Sequence, residues 1–207
     1  MNVLIIGVSG RTGGLTAVRA VAAGHRVTAL VRNAANYHPP AGVRVLAGSP
    51  TDPAALGAAM AGQEAVIDTI GGKTPFLTTD TETTVAKALL AAMKQHGTLR
   101  LIAVSALGVG DSQPQGTFFF RHLILPLFLR GSTRDKAQME EAIRASGVEF
   151  VLVRPAVLTD QEAQGSARVF AAGETADKIT RADVAQFLVG QLESDVYLGQ
   201  AVTIAND

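Results

Sequence analysis

Short apolar runs alternate with longer amphipathic stretches nearly to the C-terminus, the pattern of parallel β-α-β units. Val3 to Val8 has strand length and is closed by glycines; Leu15, Val18 and Ala22 follow at helical spacing, and Gly24 is placed to stop that helix. Val27–Val31, Val43–Leu46 and Ala65–Ile70 read as the second, third and fourth strands. Pro53–Met60 supplies a short helix before the fourth, with Asp52 as its N-cap. The spacing of Val85, Leu89, Ala92 and Met93 predicts a helix over Thr79–Gln95, with Gly97 as its stop and Glu82 and Lys87 on its outer face. Leu99–Ser105 and Val148–Val153 are the fifth and sixth strands, the latter preceded by a helix over Arg134–Ala145 that Ser146-Gly147 ends. Asp183–Leu192 is a further helix and Ala201–Ile204 a last strand. The class is α/β, with a doubly wound, mostly parallel sheet and helices on both faces.

No internal repeat and no linker interrupts the chain, and 207 residues are too few for this unit plus a separate substrate domain. One domain over 1–207 is expected. The stretch 108–132 breaks the rhythm, with Gly108, Gly110, Asp111, Pro114 and Gly116 followed by an apolar patch from Phe118. Long connections in such domains are often functional, so a substrate-side flap is expected here; an apolar helix packed on the domain, or a dimer contact, are the alternatives.

Composition removes several classes of function. Lys plus Arg equals Asp plus Glu at 18 each, so no global field draws the chain to nucleic acid or an anionic membrane. Cysteine is absent, which excludes disulfides, thiolate zinc sites and thiol catalysis, and suits a reducing, cytoplasmic setting. His25, His38, His96 and His122 show no metal-ligand spacing, and no metal site is expected. The run Phe118–Leu129 is broken by Arg121, His122 and Pro126 and is shorter than the roughly 20 residues of a membrane helix.

The chemistry starts at Gly7-Val8-Ser9-Gly10-Arg11-Thr12-Gly13, between the first strand and the first helix. The chain must turn sharply there, a pyrophosphate must approach backbone N–H groups, and the helix must pack near the sheet; glycine meets each need by lacking a β-carbon. Phosphates then sit on the positive end of the helix. The spacing is G-x-x-G-x-x-G, so the dinucleotide fingerprint of a Rossmann-type fold is matched in mechanism rather than in letter. About 20 residues on, where an acid would bond the ribose of NAD, the chain reads Val31-Arg32-Asn33. A guanidinium there suits the 2′-phosphate of NADP(H), and Arg11 would form the other half of a cationic clamp; the alternative for both is a solvated surface charge.

Gly7–Gly13 and Val27–Arg32, with Ile67–Gly72, Val104-Ser105-Ala106, Ser146–Pro155 and Thr180–Ala185, resemble the atypical short-chain dehydrogenase/reductase group of the biliverdin reductase B/flavin reductase type and the NmrA-like NAD(P)H-binding proteins. The resemblance spans almost the whole chain. It implies a cofactor along the C-terminal edge of the sheet, held by Gly7, Ser9, Gly10, Arg11, Thr12, Gly13 and Arg32, lined by Thr69, Ile70 and Gly71, and reached by the turn at Arg154-Pro155. It also implies catalytic positions at Ser105 and Lys136; the alternatives are a strand-end serine bonded to backbone and an exposed helix charge. Orthodox members place a tyrosine four residues before that lysine; here Ser132 stands there, and Tyr37 and Tyr197 are far from the spacing. A serine hydroxyl is a poor substitute acid, so alcohol dehydrogenation by the orthodox route is not expected. Reduction of a flavin, quinone or tetrapyrrole-like acceptor asks for little beyond hydride delivery by proximity. The expected partners are a small-molecule acceptor and no nucleic acid or membrane, with the chain a monomer or homodimer. The competing reading is a non-catalytic NADP(H)-binding redox sensor. A space plugged by Phe118, Phe119 or Phe120 would favour the sensor, and an open one above Ser105 the enzyme.

Overall fold

The computed structural model describes residues 1–71, 79–165 and 167–206. The first half runs β1 (Asn2–Ile6), α1 (Arg11–Ala22), β2 (Arg26–Val31), β3 (Val43–Ala47), α2 (Pro53–Met60), β4 (Ala65–Asp68), α3 (Thr81–His96) and β5 (Arg100–Val104). A 3-10 turn (Gly110–Gln115) and a π-helix (Phe120–Leu129) lead into α4 (Arg130–Arg144). Then come β6 (Glu149–Pro155), β7 (Val157–Thr159), β8 (Arg168–Phe170), β9 (Lys178–Thr180), α5 (Arg181–Gly190) and β10 (Gln200–Ala205).

Eight strands form one sheet in the order β3-β2-β1-β4-β5-β6-β10-β8, and β7 pairs with β9 apart from it. Within the large sheet only the edge pair β10–β8 is antiparallel. The chain winds outward from β1 to β3 and then returns to β4 on the other side of β1, where Val3 faces Ala65 and Ile6 faces Asp68. That reversal opens a crevice at the C-terminal ends of β1 and β4, the place where such sheets hold their ligands.

Side chains alternate across each strand, and the two faces bury separate cores. Val3, Ile5, Val27, Ala29, Ile67 and Val151 pack with α1 and α5 through Ala17, Ala20, Val184 and Leu188. Leu4, Ile6, Leu30, Val66, Leu101 and Leu152 pack with α2, α3 and α4 through Leu56, Leu89, Met93, Met139 and Ile143. Asp52 caps α2, accepting from the Ala54 N–H at 3.0 Å, and Gly97 ends α3 in the left-handed conformation at φ +72°, as the sequence predicts.

Two expected faces are corrected. On α1 the buried residues are Gly13, Thr16, Ala17 and Ala20, whereas Leu15, Val18 and Ala22 are exposed. Small residues let this helix sit close to the glycine turn and to α5, so the larger apolar side chains are turned outward. On α3, Lys87 is exposed as expected but Glu82 is fully buried, three positions before Val85 on the core-facing stripe. The strands β7, β8 and β9 are also additions. Three residues each give no periodicity to read.

Candidate cofactor and active site

The glycine turn is shaped by two different constraints. Gly7 has φ +88°, a conformation that L side chains rarely adopt, and a β-carbon there would stand 2.6 Å from Thr69 Oγ1. Gly13 lies inside α1 with an ordinary φ, yet its β-carbon would meet the Gly7 carbonyl oxygen at 2.3 Å and Thr69 Oγ1 at 2.5 Å. Thr69 fixes this junction by donating both its N–H and its hydroxyl to the Ile6 carbonyl, at 3.0 and 2.8 Å. Gly10 is the N-cap of α1 and offers no side-chain cap, and the first turn carries no acidic residue. The N–H groups of the first turn are therefore left to an anion. A β-carbon at Gly10 would have a single near neighbour, the Gly7 carbonyl oxygen at 3.2 Å. These features fit the pyrophosphate of a dinucleotide. Ser9 is exposed at the turn and Thr12 is half-buried.

The remaining cofactor candidates are distributed along the same sheet edge. Ile70 donates its N–H to Asp68 Oδ1 at 2.9 Å and packs partly into the core under α3. Gly71 is exposed with open space where a β-carbon would stand; Gly72 lies outside the described residues. Pro155 is buried at the end of β6, and its carbonyl accepts the Leu107 N–H at 3.0 Å. Arg32 is exposed at the end of β2, and no ion pair holds it among the described residues. Arg11 is placed otherwise than the clamp expectation suggests. It is ion-paired to Asp160, which also accepts from Arg181 Nη1 at 2.6 Å, so it ties the glycine turn to the connection after β7.

At the end of β5, Ser105 is buried, and its hydroxyl oxygen has no hydrogen-bond partner among the described residues. Its N–H donates to the Val153 carbonyl at 2.7 Å, fixing the residue between β5 and β6. Lys136 is not an exposed helix charge but a buried one: its Nζ lies 3.3 Å from Glu82 Oε1 and 3.4 Å from the Val104 carbonyl oxygen. Lys136 thus spans from α4 to the strand end that carries Ser105, while Ser132, in the tyrosine position, is half-buried one turn earlier.

Two further acids belong to this group, neither of them expected. Asp68 is buried at the end of β4; burial pushes its carboxyl up to about 6, the charge of Glu82 adds to the rise, and the Ile70 N–H and the Lys136 charge oppose it. Asp135 caps α3 from the side of α4, accepting from Thr79 Oγ1, the N–H groups of Glu82 and Thr83, and Thr83 Oγ1 at 2.6–3.1 Å. Burial acts to raise its pKa, but hydrogen bonds from Glu82 and Thr83 outweigh that and hold it at about 2. The sequence held a signal for each. Asp68 closes an otherwise apolar strand, and Asp135 stands four and eight positions before the buried Met139 and Ile143.

The connection after Ser105 divides into an anchored part and a helical part. Ser112 Oγ bridges the Gly108 N–H and the Val109 carbonyl, and buried Gln115 donates to the Phe170 and Ala171 carbonyls while accepting from Thr203 Oγ1. Arg154, buried in β6, holds Glu140 through Nε and Nη2 at 2.9 and 2.6 Å and Asp111 through Nη1 at 2.6 Å. Phe118 and Phe119 are exposed, whereas Phe120 packs into the core over Gly116. Two open grooves border this connection. One, about 710 Å³, is lined by Val109, Asp111, Glu140, Arg144 and Arg154 among others; the second, about 550 Å³, by Gly110, Asp111, Gln113, Pro114, Arg121 and His122.

With this geometry in place, a family model described as NAD(P)H-binding matches residues 7–195. The chain belongs to that NAD(P)H-binding family. Its cofactor is accordingly a nicotinamide dinucleotide. A Rossmann-fold NAD(P)-binding family protein from Shigella flexneri is 26% identical, with a TM-score of 0.76 over 99% of this chain and 93% of that one. ChuY, an anaerobilin reductase from Escherichia coli O157:H7, is 24% identical with a TM-score of 0.82 over 99% and 97%. A wide-type short-chain dehydrogenase/reductase from Veillonella parvula DSM 2008, solved in complex with NADP, superimposes with a TM-score of 0.82 at 16% identity over 99% and 94%. The Rossmann-type fold and the NAD(P)H-binding family read from the motifs are thereby borne out. Among the described residues no helix is long and apolar enough to cross a membrane, and no group of His, Asp and Glu is arranged to hold a metal.

Proposed function

We propose that this member of the family is an NADPH-dependent reductase of a flat conjugated acceptor: a flavin, a quinone or a tetrapyrrole-like molecule. One observation carries the reading. The catalytic edge offers a buried serine hydroxyl with no partner among the described residues, beside a lysine already paired with Glu82, and no phenol at the position that would serve an alcohol. When bound, the reduced nicotinamide supplies a hydride. The glycine turn would hold its pyrophosphate, Arg32 would select the 2′-phosphate, and Ser105 would orient the reacting partner by hydrogen bonding. Lys136 and Glu82 keep the floor of the site ordered rather than passing a proton, and solvent protonates the reduced acceptor. ChuY, described as a reductase of anaerobilin, is in keeping with this class of acceptor.

A second reading, a regulator that binds NADP(H) without turnover, is favoured by one feature: Ser105 is only 2% exposed, and neither groove counts it among its lining residues. The deciding experiment is a titration with NADPH, followed by absorbance at the reduced-nicotinamide band after addition of flavin and then quinone. Rapid oxidation with an acceptor is the expected result. Tight binding without turnover across the panel would sink the reductase and leave the regulator.

A further inference from the structure

The two grooves beside the 105–116 connection differ in how their charges are used. In the larger one, Asp111 and Glu140 share Arg154, and Arg144 lies 3.7 Å from Glu140, so both guanidinium groups are paired, with Glu141 a third carboxylate on the lining. In the smaller groove Asp111 faces inward as well, but its carboxylate is committed to Arg154, which holds it below the ordinary carboxylate range. Arg121 is exposed there, and among the described residues no ion pair holds it. Its neighbour His122 is also exposed, with Nδ1 2.9 Å from the Phe118 carbonyl oxygen, and its Nε2 has no hydrogen-bond partner among the described residues. The imidazole is stacked on Phe118, with ring centroids 4.3 Å apart at 28°, and Phe118 is itself 77% exposed. Phe119 and Leu123 are exposed on the same stretch.

An uncompensated guanidinium next to a solvent-facing aromatic pair is a recognisable combination. Exposed aromatic rings are costly to leave in water and offer a flat surface for a conjugated ring system. The guanidinium offers two parallel N–H donors to an oxyanion. The groove is also built on the edge that carries Ser105. Gly110 to Pro114 follow it within ten residues, and the connection is held by the Leu107 N–H on Pro155 and by Asp111 on Arg154, both at the end of β6.

We infer that the groove between Gly110–Pro114 and Arg121–His122 is the acceptor's binding site, and that it selects acceptors bearing an acidic side group, which Arg121 holds while Phe118 and His122 stack on the ring system. This deepens the reductase reading and rests on it. Matched acceptor pairs test it, with the full chain and saturating nicotinamide nucleotide, so that the glycine turn is already occupied: FMN against riboflavin, and biliverdin against its dimethyl ester. The acidic member of each pair has the lower KM in the wild type. Arg121→Ala raises that KM about tenfold with kcat little changed and leaves the uncharged member unaffected, and Arg121→Lys restores part of the loss. A preference for the acidic member that survives Arg121→Ala, or no preference at all, overturns the groove assignment and leaves the reductase standing. If no acceptor oxidises NADPH, the reductase reading fails instead. The same pairs titrated by fluorescence against protein saturated with NADP⁺ then decide the groove separately. Binding of the acidic member that Arg121→Ala abolishes upholds the site; binding that is equal in both proteins, or undetectable, removes it.

Discussion

Asp68 shows how one side chain sets a pH dependence. It ends β4 beside the loop assigned to the cofactor, fully enclosed, with Glu82 raising its pKa and Lys136 only partly opposing the rise. A folded pKa of about 6 against an ordinary 3.8 means that the folded state prefers the protonated acid. The stability this confers is complete below pH 3.8 and is lost as the pH rises through 6, a difference of about 3 kcal/mol. An amide in place of this carboxyl would keep an oxygen for the Ile70 N–H and never ionise. Asp68→Asn is therefore expected to match the wild type in urea unfolding near pH 4 and to exceed it by up to about 3 kcal/mol near pH 7.5. A gap that stays constant across that range would show that ionisation is not the cause. Buried acids of this kind are only half legible in a sequence. Glu82 shares the stripe of Val85 and Leu89, so its spacing points inward, but its charge makes an exposed face the ordinary expectation. What reverses it is Lys136, 54 positions away on another helix.

At the level of elements, α1 and the turn before it separate two jobs that the glycine motif merges. Gly13 is needed by the fold: an added methyl would stand 2.3 Å from the Gly7 carbonyl oxygen and 2.7 Å from its carbon, both backbone atoms that cannot step aside cheaply. Gly10 has φ −83° and a single near neighbour at 3.2 Å, so a methyl there asks the Gly7 carbonyl to give by a few tenths of an ångström, far less than at Gly13, while it would stand in the way of a phosphate. Gly13→Ala is expected to cost about 2 kcal/mol and lower the thermal midpoint of the apoprotein. Gly10→Ala is expected to lower that midpoint distinctly less than Gly13→Ala and to weaken NADPH binding. Equal effects of the two on the apoprotein's midpoint would refute the division. The motif identifies the place from sequence, but the packing face of α1 is not the one its spacing suggests, because Leu15 and Val18 are the larger apolar residues and the helix is held by the smaller ones. The connection 108–132 is illegible for another reason. Gln115 is anchored by Thr203, 88 positions away, and no local pattern announces such a bond.

For the whole molecule, the alternation of apolar runs is enough to give the class and a mostly parallel sheet, but not the strand order: β2 passes to β3 without an α-helix between them. The preference between the two nicotinamide dinucleotides is a different matter and depends on a few exposed atoms. On the function proposed above, Arg32 at the end of β2 would carry it, alone if Arg11 stays with Asp160. A ligand bound only by the folded state stabilises it by about 2.7 kcal/mol at a hundredfold excess over Kd. For a chain of this length that raises the thermal midpoint by about 5–10 °C. NADPH is therefore expected to raise the midpoint by that much and NADH at equal concentration by distinctly less, with Arg32→Ala bringing the NADPH shift down to that of NADH. Asp160→Asn then separates the two arginines. If Arg11 is released to the same phosphate on binding, removing its partner carboxylate enlarges the NADPH shift. If Arg11 serves only to close the glycine turn against the connection after β7, the shift stays the same and the apoprotein alone loses stability, by no more than an exposed ion pair contributes. Equal shifts for NADPH and NADH in the wild type would dismiss Arg32 as the selector.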